Sequence, residues 1–183
     1  MKPTEILREE HRVIERVLVV LERAAARLEQ GEEIPADLFL KAVEFIRGFA
    51  DHCHHGKEEG FLFPFLERRG IPKEGGPIGV MLSEHDEGRR WVKLMDDAGA
   101  RYRRGENEAR RDLIEAARGY SQLLRRHIDK EDHVLFPMAD QILPEKDQAD
   151  LVGQFEAVER EGIGEEAHAR FLNLAGELKK MVA

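Results

Sequence analysis

One eleven-residue stretch occurs twice, and it constrains this chain more than any other feature. Residues 54–64 read His-His-Gly-Lys-Glu-Glu-Gly-Phe-Leu-Phe-Pro and residues 127–137 read His-Ile-Asp-Lys-Glu-Asp-His-Val-Leu-Phe-Pro, so His, Lys, Glu, Leu, Phe and Pro recur at the same offsets. In each copy a histidine and a glutamate stand four apart, His54 with Glu58 and His127 with Glu131. On an α-helix that spacing stacks both side chains on one face, about one turn apart, where they can share an ion. Two further histidines follow glutamates upstream of the copies, His11 after Glu10 and His85 after Glu84. A repeat of this kind predicts a site built twice over.

The rest of the sequence predicts the scaffold. Glu, Leu, Arg, Ala and Lys dominate, and few stretches alternate apolar with polar residues, which points to an all-α chain. A first helix, capped by Thr4, carries Leu7, His11, Ile14, Leu18, Leu21 and Ala25 on one stripe and stops near Gly31. The second carries Phe39, Val43, Ile46, Ala50, His54, Glu58 and Phe61 as far as Pro64, which is expected to kink or end it. Residues 70–79, rich in glycine and proline, form a loop between the two halves. A third helix over about residues 77–104 buries Ile78, Met81, Leu82, His85, Val92, Leu94 and Met95. A fourth over about residues 108–139 buries Leu113, Ala116, Ala117, Tyr120, Leu124, His127, Glu131 and Val134, and meets Pro137 where the second met Pro64. The expectation is an up-down-up-down four-helix bundle over residues 1–143. Residues 144–183 are read as one or two extra helices, broken at Gly162 and Gly164, packing on the bundle within the same domain or on another subunit.

Several function classes fall away. The formal net charge of -8 argues against a nucleic-acid partner. The run Arg101-Tyr102-Arg103-Arg104 reads as a solvated helix end rather than an anion patch, because acidic residues soon follow it. A single cysteine, Cys53, excludes an internal disulfide and suits a reducing compartment. The longest aliphatic run, residues 17–21, is too short to span a membrane. A soluble, cytoplasmic protein is expected. Phosphate loops, dinucleotide-binding glycines, His-Glu-x-x-His motifs and nucleophile elbows are all missing from the sequence.

A lone histidine on an apolar helix face is usually a hydrogen-bonded core residue. The conjunction changes that reading, because glutamate is almost never fully buried unless it is paired or bound to metal, and Glu58 and Glu131 both fall on core faces. His11, His54, Glu58, His85, His127 and Glu131 are therefore the expected metal ligands. His55 and Glu59 form a rival pair, but their counterparts in the second copy are Ile128 and Asp132, and isoleucine cannot ligate. On that ground His55 is set aside, and His55→Ala is expected to keep the metal. Glu59 is retained as an outer or labile partner. His52, His133 and His168 lack repeat counterparts and are expected at the solvent, and Cys53 is read as a semi-buried thiol. Tyr120, two turns before His127 on the same stripe, is a candidate catalytic proton donor.

The pattern His, His-x-x-x-Glu, His, His-x-x-x-Glu, with Leu-Phe-Pro at 62–64 and 135–137, resembles the hemerythrin-like proteins, the hemerythrin HHE cation-binding domain family, over roughly residues 3–140. The resemblance implies two non-haem irons in the bundle core, joined by the two glutamates and an oxo or hydroxo bridge, with Zn or Mn as substitutes. The oxygen-carrying members place two histidines four apart on the third helix, whereas this chain has Arg89 four residues after His85. They also close the set with an aspartate five residues after the last histidine, where Glu131 follows His127 by four. One imidazole fewer leaves more coordination sites for small ligands. The resemblance therefore implies binding or reduction of O2, peroxide or NO in preference to reversible oxygen carriage. The alternatives are a metal- or oxygen-dependent sensor, iron storage, or a structural zinc bundle. A homodimer or partner contact would run through the C-terminal helices.

Overall fold

In the computed structural model of the chain, residues 1–163 and 165–183 are described. They are all-α, with no strand among the described residues. The elements are α1 (Pro3–Glu29), α2 (Ala36–Phe45), the π-helical segments π1 (Ile46–His55) and π2 (Glu58–Leu62), α3 (Phe63–Arg68), α4 (Pro77–Arg103), α5 (Ala109–Lys130), π3 (Glu131–Leu135), α6 (Phe136–Ile142), α7 (Glu145–Ala157), π4 (Val158–Ile163) and α8 (Glu165–Met181). Helical segments from α2 to α3, and again from α5 to α6, follow one another as long rods, so α1, α2–α3, α4 and α5–α6 make an up-down-up-down bundle. None of the described helices is long and apolar enough to cross a membrane.

The internal repeat reaches well beyond the two motifs. Helices α1 and α4 both have 27 residues and both begin at a proline, whose missing N–H costs nothing in a first turn. Each is closed by a glycine at positive φ, Gly31 at 86° and Gly105 at 84°, a left-handed turn that residues with a Cβ enter at a cost. The N–H of the next residue, Glu32 or Glu106, then donates to the carbonyl of Arg27 or Arg101.

Two apolar clusters fill the bundle at different levels. One gathers residues such as Leu18, Leu21, Phe39, Phe45, Met95, Leu113 and Leu124; the other gathers Leu7, Leu62, Phe63, Ile78, Met81, Leu135 and Phe136. Along every long rod the histidines and glutamates of the repeat fall between these clusters, so a polar layer is sealed above and below by hydrocarbon.

Three local expectations are corrected. Thr4 lies inside α1 and donates its hydroxyl to Asp140 at 2.6 Å, while the helix starts from Lys2. Pro64 and Pro137 do not end their rods, which run on to Arg68 and Ile142. Each proline sits at the first turn of an α segment that follows a π segment, where the change of hydrogen-bond register tolerates its missing donor. Leu94 and Val134 are about half exposed, so both apolar stripes are narrower than the sequence suggested.

The C-terminal helices α7 and α8 lie against the bundle. Phe155 joins the cluster at the Leu-Phe-Pro end, and Phe171, Leu174, Ala175 and Leu178 join the other. Gly48 in π1 is the seat for Phe171: a Cβ there would lie 2.0 Å from its ring, so only glycine lets the aromatic side chain settle. Burial of one such ring is worth roughly 1.5–3 kcal/mol. Of the expected break at Gly162 and Gly164, the second residue lies outside those described.

Candidate metal centre

Glu58 and Glu131 each open a π segment, and each is completely buried. The i→i+5 turn is wider than an α turn and is common at functional sites, because it re-aims side chains that a regular helix would spread. The first half of the chain carries a further π segment, π1, ending at His54 and His55, that the second half lacks.

The buried side chains fall into two groups whose donor atoms converge, His11, His54, Glu58 and Glu131 in one, and His55, Glu58, His85 and His127 in the other. Glu58 belongs to both, and Glu131 of the first also reaches His127 of the second. Oε1 of Glu58 lies 3.5 Å from Nε2 of His54, and its Oε2 lies 3.3 Å from Nε2 of His85. Oε1 of Glu131 lies 3.3 Å from Nε2 of His127, and its Oε2 lies 3.1 Å from Nε2 of His11. All six residues expected from the repeat are thus brought into one layer, and His55 joins them.

His55 corrects the repeat argument. Its ring stacks on His85 with centroids 3.9 Å apart and stands 5.6 Å from His127. Its counterpart Ile128 is buried among apolar side chains, so the two-fold relation of the sequence is real for the backbone and broken at this position. The unmatched π1 segment is the physical cause, since it turns two consecutive histidines toward the core.

Outside the layer stands a ring of carboxylates. Nδ1 of His11 meets Asp132 at 2.7 Å, that of His54 meets Glu10 at 2.8 Å, that of His85 meets Glu59 at 2.7 Å, and that of His127 meets Glu84 at 2.9 Å. Nδ1–H donation to a carboxylate fixes the tautomer and turns the Nε2 lone pair inward, which is how metal-binding imidazoles are held. Glu10 and Glu84, although adjacent in sequence to His11 and His85, support the histidines of the other rods. The repeated Glu-His pairs, and the acids that follow Glu58 and Glu131, were the sequence signals for this ring.

Electrostatics agree with a site made for cations. Burial alone would raise Glu58, yet the imidazoles of His54, His85 and His127 hold it down at about 2. Burial would lower His11 and His85, but their carboxylate partners hold both up at about 9. His55 is pushed well below the usual range by burial and by the neighbouring His85. Both oxygens of Glu58 and of Glu131 and the Nε2 atoms of His11 and His54 have no hydrogen-bond partner among the described residues. Orphaned atoms of that kind are costly in a core, and cations held in the two groups would satisfy them.

A cavity of about 80 Å³ adjoins the second group, lined by His55, His85, Gly88, Arg89, Tyr120 and neighbours. Tyr120 is 1% exposed, and its hydroxyl has no hydrogen-bond partner. Burial pushes its ionisation far upward, so the hydroxyl stays protonated. Arg89 closes the outer side by pairing with Asp51 at 2.8 Å, Glu59 at 2.7 Å and Asp86 at 3.0 Å. Of the remaining histidines, His52 and His133 are exposed as expected, whereas His168 is partly buried. Cys53, expected to be semi-buried, is 1% exposed.

Residues 2–139 match the family described as Hemerythrin HHE cation binding domain. Uncharacterized proteins of Mycobacterium tuberculosis and Mycobacterium bovis are each 25% identical over 178 residues, spanning 97% of this chain and 69% of the relative. No solved structure matches.

Proposed function

The chain belongs to the hemerythrin family of HHE cation-binding domains, and from that premise we propose that it is a non-haem di-iron protein that binds or reduces a small oxidant, O2, peroxide or NO. The observation that carries this reading is the split of each buried carboxylate, one oxygen toward each group of imidazoles. That division suits a pair of ions better than a single one. His11 and His54 would hold one iron, His55, His85 and His127 the other, and Glu58 and Glu131 would reach both. Imidazole and carboxylate donors without thiolate suit iron, with Mn or Zn as substitutes.

When bound, the iron pair supplies two-electron redox chemistry toward the oxidant. The residues set its conditions. Asp132, Glu10, Glu59 and Glu84 hold four imidazoles by Nδ1 and so aim their Nε2 atoms inward. Phe136, stacked 5.5 Å from His11, and Phe63, 6.0 Å from His85, keep bulk water from the layer. Tyr120 would serve as proton donor: it lines the cavity beside His55 and His85, and its buried hydroxyl has no partner among the described residues. The C-terminal helices count as part of this domain. The single buried thiol is consistent with a reducing, cytoplasmic setting.

A sensing role has its own support. Glu159 in the C-terminal extension bonds Lys57, Lys57 bonds Glu10, and Glu10 holds His54, so the state of the first group could be felt in the extension. Metal analysis of anaerobically purified protein, with optical spectra before and after O2 and then peroxide, tests both. Two irons per chain, a spectrum that responds to oxidant and consumption of peroxide are expected. Zinc alone would defeat the di-iron reading, and iron without turnover would favour sensing.

A further inference from the structure

A third cluster of donors lies outside the layer. Cys53 of π1, Glu159 of π4 and His168 of α8 each bring a donor atom within 4.8 Å of the other two. They come from three elements, so only the docking of the C-terminal extension on the bundle assembles them. Nδ1 of His168 is buried and has no hydrogen-bond partner among the described residues. A cavity of about 390 Å³ lined by Glu10, Phe49, Phe155, Glu159 and His168 reaches two of the three donors.

We propose that Cys53, Glu159 and His168 form a separate binding site for a thiophilic divalent cation, Zn2+ foremost. One sulfur, one imidazole nitrogen and one carboxylate oxygen are the donor types zinc accepts, and three protein ligands with one open position is a common zinc arrangement. The di-iron ligands contain no sulfur, so the two sites differ in the ions they prefer.

Charge supports the assignment. Lys57 is completely buried and bonds both Glu10 and Glu159, leaving the pocket with two carboxylates against one ammonium. A divalent cation together with the Cys53 thiolate adds one net positive charge and brings that group to neutrality, which a buried cluster favours. Lys57 holds Oε1 of Glu159. On binding, the thiol proton leaves to solvent as the S–metal bond forms.

Cobalt(II) added to the iron-loaded full-length protein provides the test. Cys53 is the sole cysteine, so a thiolate-to-cobalt charge-transfer band in the near ultraviolet reports this site alone. The band is expected on cobalt addition, with the iron content unchanged, and excess Zn2+ should abolish it. His168→Ala should weaken cobalt binding by more than about 100-fold, beyond the loss that removing an outer partner of a ligand causes. Glu159→Gln should weaken it in the same direction. Both residues are partly exposed, so neither test depends on the tolerance of a buried position such as Cys53. No charge-transfer band with cobalt in excess, or an unaltered band in His168→Ala, overturns the proposal. Because iron is quantified separately, failure here leaves the di-iron reading standing, and loss of that reading leaves this one testable.

Discussion

The two groups of the polar layer are built from the same repeat and end up unlike each other. A cavity of about 80 Å³ adjoins His55 and His85, and neither His11 nor His54 lines it. The difference traces to two pairs of related positions. Ile14, one turn after His11, is fully buried in the apolar cluster, while its counterpart one turn after His85 is Gly88. His55 contributes an imidazole where Ile128 contributes only hydrocarbon. The internal repeat thus yields two similar donor groups, and side chains at these two positions leave only the second beside that cavity.

The largest effect should come from what the groups share. Glu58→Ala or Glu131→Ala removes a carboxylate that serves both groups, and each variant should lose most of its metal from both and unfold at lower temperature. Metal quantification with thermal unfolding checks this, and near-normal iron in both variants would break the bridging assignment. His55→Ala separates the groups. It should lower metal content toward half, with the loss confined to the second group; full retention would restore the repeat-based choice of His54 without His55.

Gly88→Ile copies Ile14 into the open side and sharpens the comparison further. A Cβ at Gly88 would sit 3.6 Å from Leu124 and 3.7 Å from Tyr120, ordinary contact distances, so the backbone admits the change. Iron content should be kept while the rate of reaction with peroxide falls by about tenfold or more, a barrier increase of about 1.4 kcal/mol. An unchanged rate would mean that oxidants reach the layer by another path.

The smallest effect is expected from pH in the metal-free chain. Glu58, lowered in the fold from 4.5 to about 2, adds stability above pH 4.5 that is lost as pH falls toward 2. His11 and His85, raised from 6.5 to about 9, add stability below pH 6.5 that is lost as pH rises through 9. His55 opposes them on the acid side, because it resists protonation in the fold. Melting temperature should therefore fall on the alkaline side in metal-free protein and much less when metal holds the imidazoles neutral. Identical alkaline limbs in both forms would count against imidazole ligation.

Much of this molecule was legible in one dimension. The histidine–glutamate spacing, the apolar stripes and the loop between the halves belong to single helices, where residues four apart must meet, so the all-α bundle and the six residues of the repeat could be read directly. The outer carboxylates were visible only as acidic neighbours; which imidazole each one holds depends on how the rods face one another, and Glu10 serves His54 rather than His11. His55 was lost for a related reason, because the sequence repeat assumes a symmetry that the unmatched π1 segment breaks. The cluster of Cys53, Glu159 and His168 has no local signature at all. Its three donors are scattered along the chain and meet where α7, π4 and α8 pack back on the bundle, with Phe155 and Phe171 in its apolar clusters. Local spacing is fixed by covalent geometry and helix period and is written in the sequence, whereas contacts between elements depend on packing that only the folded chain decides.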